Sequence, residues 1–239
     1  MSELKQRLNT EQLNTQQLNT QQLSAPIYAE LSRVGKVLAS PLRLRLLDLL
    51  DGRERTVEQL SQESGIPFKN TSAQLQQLRS AHLISSRKDG KRVLYRLADD
   101  EVAQFLGVFQ EFTERRLADL RSVIDDQLGD LSELEPVTAD ELTTRVGGGA
   151  LVIDVRPSDD YAMGHVPGAL SLPSGQLLSR LGELPDDAEI IAYCHGPFCV
   201  TSAACVRLLR EQNRHAHHLV GGFTRWHRTG HPVHPEAGS

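Results

Sequence analysis

TVEQLSQESGIPFKNTSAQLQQLRSAHLISSRKDGKRVLYRL, residues 56–97, breaks into three pieces with different periodicities. Thr56 and Gln59 stand at capping-box spacing at the head of a helical piece that runs to Gly65. Ile66-Pro67 separates it from a second helix, roughly Lys69 to Ser80, with Leu75 and Leu78 on one side. The apolar residues then alternate in two runs around Asp89-Gly90, the pattern of a β-hairpin. Upstream, Ser40-Pro41 reads as an N-cap followed by a first helical position, and Leu42, Leu46, Leu49 and Leu50 recur at helical spacing before Gly52. A further helix covers about 27–39. Downstream, Val102, Phe105, Leu106, Phe109, Phe112, Leu117, Leu120, Ile124 and Leu128 place one long amphipathic helix over 100–128, which Gly129 ends.

Helices, a tight Gly-containing turn, another helix and a basic hairpin are the order of a winged helix-turn-helix. In that arrangement the helix at about 67–80 lies in the DNA major groove and the hairpin reaches a neighbouring groove or the backbone. Lys69, Asn70, Thr71, Ser72, Gln74 and Gln77 carry hydrogen-bonding groups suited to base edges and phosphates. Arg87, Lys88, Lys91 and Arg92 cluster around the wing turn. With PLRLRLLDLL ahead of it, the quoted stretch resembles the core of ArsR-type transcriptional repressors, over about residues 27–128. The resemblance implies a homodimer joined through the helices at 27–39 and 100–128, with Phe105, Phe109 and Phe112 buried by the second chain. Metal-sensing members carry Cys-x-Cys in the helix before the recognition helix, where this chain has Gln59-Leu60-Ser61-Gln62-Glu63-Ser64. Thiolates are what arsenite and soft metals need, so that sensor site is absent, and no His stands in the 100–128 helix.

Beyond the polar stretch SELEP, residues 132–136, the pattern changes to short apolar strands alternating with helices: LVIDV (151–155), ALSLP (169–173), EIIAYC (189–194) and HHLV (217–220), with helices at 174–182 and 201–212. Such alternation predicts a small parallel α/β sheet. After the third strand comes Cys194-His195-Gly196-Pro197-Phe198-Cys199-Val200, then a helix opening at about Thr201. Sulfur held between a strand and a helix N-terminus lies near backbone N–H groups and the positive end of a dipole, where a thiolate or persulfide is stabilised. Cys205 falls inside the helix pattern and reads as core. DVRPSDDYAMGHVPGALSLP, YCHGPFCVTSAACVRLL and GGFTRWHRTGHPV, within residues 137–235, resemble a single rhodanese domain. The resemblance implies that Cys194 accepts a sulfane sulfur, as from thiosulfate or a polysulfide, and passes it to a thiol. It implies that backbone amides of His195, Gly196, Pro197, Phe198, Cys199 and Val200 hold the anion, and that Asp154 and Arg156 order the loop from beneath. No Arg or Lys lies between 194 and 201, and Val200 stands where Cys-x5-Arg phosphatase loops carry Arg. The second thiol, Cys199, is placed to attack a persulfide and close a disulfide. His165 belongs to the Gly-His-Val-Pro-Gly structural element. His215, His217, His218, His227, His231 and His234 match no zinc spacing and read as strand ends and solvated tails, so no metal and no cofactor is expected.

The expected organisation is therefore a Gln/Asn/Thr-rich tail (1–26), a mainly α winged helix-turn-helix and dimerisation domain (27–129), a linker (130–136) and an α/β rhodanese-like domain (137–239). In the tail, the pentapeptides of residues 8–22 space leucines five apart, about 140° on a helix, so they share no face. The 26 Lys+Arg and 31 Asp+Glu give −5 overall, which excludes a uniformly basic nucleic-acid coat. That mean conceals +5 over residues 40–97 against −6 over 129–239, so a polyanion is met by the first half. Lacking a signal peptide or a long uncharged apolar run, the chain reads as cytoplasmic, without membrane contact.

The functional expectation is a dimeric, double-stranded-DNA-binding repressor whose rhodanese domain senses reactive sulfur or oxidants through Cys194 and Cys199. Two rivals stand beside it. One is a thiosulfate or persulfide sulfurtransferase with an accessory DNA module; the other is an arsenite- or soft-metal-responsive repressor with its ligands in the rhodanese domain.

Overall fold

The computed structural model describes residues 25–235; the pentapeptide repeat and nearly all of the expected tail lie outside them. The described chain divides into two compact units. One holds the residues up to Leu49 together with Arg55–Tyr95, and the other holds Leu50–Glu54 with the chain from Arg96 onward.

In the first unit α1 (residues 25–38) precedes α2 (Pro41–Leu50), α3 (Val57–Ser64) and α4 (Phe68–Ser80), and the hairpin β1 (Ile84–Asp89) and β2 (Arg92–Leu97) follows. α3 starts where its sequence signature places it: the Thr56 hydroxyl accepts from the Gln59 N–H, and the Gln59 carboxamide accepts from the Thr56 N–H at 2.9 Å. Gly65, in the left-handed region at φ +72°, ends it, a conformation that only glycine adopts without cost. Leu46, Leu47, Leu60, Leu75 and Leu78 are buried in this unit. The hairpin loop is Gly90-Lys91, one residue beyond the Asp89-Gly90 pair, with Gly90 at φ +59°.

The second unit contains α5 (Asp100–Arg116), α6 (Ala118–Leu128), a 3-10 turn (Leu131–Leu134), α7 (Ala139–Gly147), β3 (Leu151–Asp154), α8 (Ser158–Met163), β4 (Leu170–Ser171), β5 (Ile190–Tyr193), α9 (Val200–Glu211), β6 (Ala216–His218) and α10 (Gly222–Arg228). The strands pair in the order β4-β3-β5-β6, all parallel. Alternation along β3 and β5 sends Ile153, Ile190 and Ala192 into a core with Val206 and Leu209 of α9, and Val152, Ile191 and Tyr193 into a core with Leu142, Phe223 and Trp226. Both faces are covered, which is why the strands read as unbroken apolar runs. Cys205 lies in the first of these cores.

Four expectations need correction. The helix expected over 100–128 is two helices, because Leu117 adopts an extended backbone (φ −105°, ψ 99°). One turn earlier, the Thr113 hydroxyl donates to the carbonyls of Phe109 and Gln110, a back-bond that bends helices. These helices fall in the second unit, not with the winged helix: Arg228 of α10 donates to Gln110 and Arg207 of α9 to the Leu128 carbonyl. Residues 174–182 form 3-10 turns (Ser174–Gln176, Leu181–Glu183) rather than a helix. The expected linker is tied to the fold rather than free: its Leu134 is buried and its Glu133 carbonyl accepts from Arg210.

Candidate functional site

Cys194 follows β5 at the carboxyl end of the parallel sheet, the edge at which open α/β sheets place ligands. Its Sγ lies 2.6 Å from the Sγ of Cys199, and both thiols are free. Cys199 is the N-cap residue of α9, so the helix N-terminus is presented to the second sulfur of the pair. The two thiols are pushed in opposite directions. Hydrogen bonding from Cys194 pulls the Cys199 thiol down to about 3, helped by His195 and Thr201 against the cost of burial. Cys194 is pushed well up, by the same hydrogen bond and by burial. Negative charge on the pair is thus favoured on Cys199. Cys194 is 3% exposed and Cys199 half-buried.

Below the loop, Asp154 and Arg156 are buried and joined through three hydrogen bonds from the guanidinium to the carboxylate. The Tyr193 hydroxyl donates to Asp154 at 2.7 Å and accepts from the Val166 N–H. The Arg156 guanidinium lies 4.0 Å from the centre of the Phe223 ring. None of these groups reaches the sulfurs; they fix the strand ends from which the loop departs. From the other side, the Phe223 and Thr224 N–H groups at the start of α10 donate to the carbonyls of Cys194 and His195. Gly222 makes this approach possible: at φ +57°, a Cβ there would stand 2.6 Å from the Cys194 carbonyl oxygen.

His195 joins the sulfur pair to buried charge. Its Nδ1 is 3.6 Å from Cys194 Sγ, and its Nε2 is 2.8 Å from Asp160 Oδ2 and 2.7 Å from Arg53 Nη1. Arg53, in the turn Leu50–Glu54 of this same unit, also pairs with Asp160 at 3.2 Å. A cleft of about 760 Å³ is lined by Pro197 and Phe198 of the loop, with His218, Val220 and Arg225. Behind the loop, the buried His218 imidazole sits 3.2 Å from the Ser202 hydroxyl, and burial pulls its pKa down to about 4.

On the first unit, α4 exposes Lys69 and Gln77 and half-buries Asn70, Ser72 and Gln74, and the hairpin exposes Arg87, Lys88, Lys91 and Arg92. Arg43 Nη1 donates to the side-chain oxygens of both Gln74 and Gln77.

A model of the rhodanese-like domain matches residues 138–229, and one of the arsR family of bacterial regulatory proteins matches residues 40–86. Over 210 residues the chain is 38% identical to the HTH-type transcriptional regulator Rv0324 of Mycobacterium tuberculosis, spanning 87% of this chain and 92% of that protein. The chain belongs to the arsR-type regulators that carry a rhodanese-like domain. A sulfurtransferase of Allochromatium vinosum is 31% identical to the regulator over 83 residues, 35% of this chain and 77% of that one. Among solved structures, the homodimeric winged helix-turn-helix DNA-binding domain of a possible ArsR-family regulator from Mycobacterium bovis is 36% identical, covers 40% of this chain and 89% of that chain, and has a TM-score of 0.38.

Several residues of the regulator stand elsewhere than their sequence suggests. Thr71 is fully buried and donates to the Ile66 carbonyl, so it pins the start of α4 and presents nothing to DNA. Pro197 has no N–H, and the Cys199 N–H donates to the Gly196 carbonyl, so two of the six expected loop amides do not face an anion. Thr201 was missed: it stands among the groups that lower the Cys199 thiol. Arg53 and Asp160 were missed as well. Each stands far from the loop in sequence, and only the fold brings a basic group to a loop that has none. His217 and His218 are buried strand residues rather than solvated ones.

Proposed function

We propose that this regulator is a DNA-binding repressor switched by sulfane sulfur at the Cys194/Cys199 pair. The observation that carries the reading is the pair itself: two free thiols 2.6 Å apart in a loop at the sheet's carboxyl edge. At this separation the proton passes from Cys194 to the Cys199 thiolate as Cys194 attacks. Attack of Cys194 on the outer sulfur of a hydropersulfide, R–S–SH, breaks that S–S bond, releases RSH and leaves Cys194–S–SH. The proton that reached Cys199 goes to the departing RS⁻, so Cys199 is again a thiolate; it attacks the inner sulfur, hydrosulfide (HS⁻) leaves, and a Cys194–Cys199 disulfide remains. The two thiols are oxidised and the sulfane sulfur is reduced. Lys69, Asn70, Ser72, Gln74, Gln77, Arg87, Lys88, Lys91 and Arg92 are the proposed DNA contacts. A second copy covers the α5 face carrying Phe105, Val108 and Phe112, which are 43%, 65% and 51% exposed in the single chain. Induction requires that the two sulfur states favour arrangements of the dimer with different DNA affinity.

The test is an electrophoretic mobility shift on the intergenic duplex adjoining the regulator's own gene, with and without polysulfide. Retardation that polysulfide abolishes in wild type, but not in Cys194→Ser, is expected. Equal retardation of both proteins under both conditions overturns the proposal. A second reading has one observation of its own: ligand atoms of Cys194, His195 and Cys199 lie within 4.8 Å of one another, an arrangement open to arsenite or a soft metal ion. Release of DNA by arsenite and not by polysulfide would establish that reading instead. Rapid thiosulfate:cyanide sulfur transfer, with DNA binding untouched by either agent, would make the protein an enzyme with an accessory DNA module.

A further inference from the structure

At the opposite, amino edge of the sheet, β6 carries a second cluster of ligating groups. His215 and His217, two apart on an extended segment, point the same way, and their Nε2 atoms are 3.1 Å apart. The register brings a carboxylate to each side. Ile190 pairs with Ala216, which sets Glu189 beside the two imidazoles, its Oε1 3.3 Å from His217 Nε2. Val137 donates to the His218 carbonyl on the other side, which sets Glu135 beside His217: its backbone carbonyl and its Oε2 lie 3.3 and 3.2 Å from His217 Nδ1. With the ring proton on Nδ1, where the Glu135 backbone carbonyl accepts it, Nε2 offers a lone pair facing His215. A ring N–H held by a carboxylate or carbonyl is the usual outer support of a metal-ligating histidine. The spacing of the two Nε2 atoms also matches the edge, about 3.3 Å, of a tetrahedron with bonds of 2.0–2.1 Å.

We propose that this cluster binds a divalent cation of zinc's class through His215, His217 and the Glu135 carboxylate. One ligand atom from each of these three residues lies within 4.8 Å of the others. Glu189 supplies further negative charge. In the metal-free arrangement Arg145 holds Glu189 at 2.5 Å, and Arg210 lies 3.5 Å from Glu135, so the cation displaces a guanidinium contact as it enters. The Glu135 carboxylate is exposed, which leaves it free to turn inward; His217 is buried and preset. The site is structural in character: it fastens the segment leading out of the 3-10 turn Leu131–Leu134 to the edge strand, far along the sheet from the sulfur loop.

The experiment uses the full chain carrying Cys194→Ser and Cys199→Ser, so that the loop thiols contribute nothing. After metal stripping it is titrated with zinc sulfate in competition with a chromophoric chelator, and separately with cobalt(II). The expected result is one zinc per chain, and a tetrahedral cobalt spectrum without thiolate charge-transfer bands. Exposed His215→Ala should leave circular dichroism unchanged and weaken zinc at least tenfold, and Glu135→Gln should weaken it by a comparable factor. Absence of binding in the double-serine protein overturns the proposal, as does binding that neither His215→Ala nor Glu135→Gln weakens.

Discussion

Cys199 and Cys194 are pushed in opposite directions, and this has a direct kinetic consequence. A thiol held near 3 is a thiolate at any pH above about 4, whereas an ordinary thiol gains reactivity tenfold per pH unit up to its pKa. Alkylation of Cys199 by iodoacetamide is therefore expected to be flat from pH 5 to 8, as peptide mass spectrometry after timed quenching would record. Cys205, buried and pushed up to about 11, should stay unmodified in the folded protein. A tenfold rise in the Cys199 rate per unit would show that the proton rests on Cys199 itself. Gly222 is equally exposed to test. Any side chain there requires left-handed backbone at φ +57° and meets the Cys194 carbonyl. Gly222→Ala is expected to cost roughly 1–3 kcal/mol in urea denaturation and, if Cys194 takes up sulfane sulfur as proposed, to slow that step, because the loop must shift to make room. These positions were partly legible beforehand. The Cys loop and the Gly-Gly element can be seen in the sequence, but the contact between them joins residues 28 apart and depends on how α10 is laid against β5.

Among the elements, α3 and the break between α5 and α6 stand at opposite ends of what local sequence conveys. Thr56 and Gln59 form their capping box within four consecutive residues, so the signal and the structure occupy the same stretch. Thr56→Ala should destabilise the first unit by about 1 kcal/mol, read as a shift in its urea midpoint with an unchanged slope. The segment Glu114-Arg115-Arg116-Leu117-Ala118 holds no Gly or Pro and gives no local reason to stop. The interruption at Leu117 is accompanied by side-chain hydrogen bonds from the turns on either side: Thr113 to carbonyls a turn back, and Arg121 to the Glu114 carbonyl. Polar side chains that compete for helix carbonyls act through geometry that apolar periodicity does not register. The 3-10 turns at 174–183 show the same limit, since nine residues of helical pattern do not fix which helix forms.

For the whole molecule, charge asymmetry and exposed apolar surface make the sharpest forecasts. If Arg87, Lys88, Lys91 and Arg92 contact phosphates, replacing all four by alanine removes about four released counterions. The slope of log affinity against log salt should then flatten by about 0.9 per contact, as fluorescence anisotropy across a salt series would measure; an unchanged slope would take the wing off the DNA. If a second chain covers α5, Phe112→Glu should convert dimers to monomers in sedimentation velocity without loss of helix signal.

The sequence by itself determined the two families of fold, their order along the chain, the parallel sheet, the basic first half and the loop that holds two thiols. Each is written in contiguous residues: periods of 3.6 and 2, caps, turns and short motifs. The tertiary structure decided what depends on neighbours across strands. It set Arg53 and Asp160 beside His195, turned Thr71 inward, gave the helix N-terminus to Cys199, and gathered Glu135, Glu189, His215 and His217 at one sheet edge. The physical reason is register. Which residues of β5 and β6 stand abreast is fixed by hydrogen bonds between strands and by the packing of both faces, and neither is encoded in the spacing of residues along a single strand.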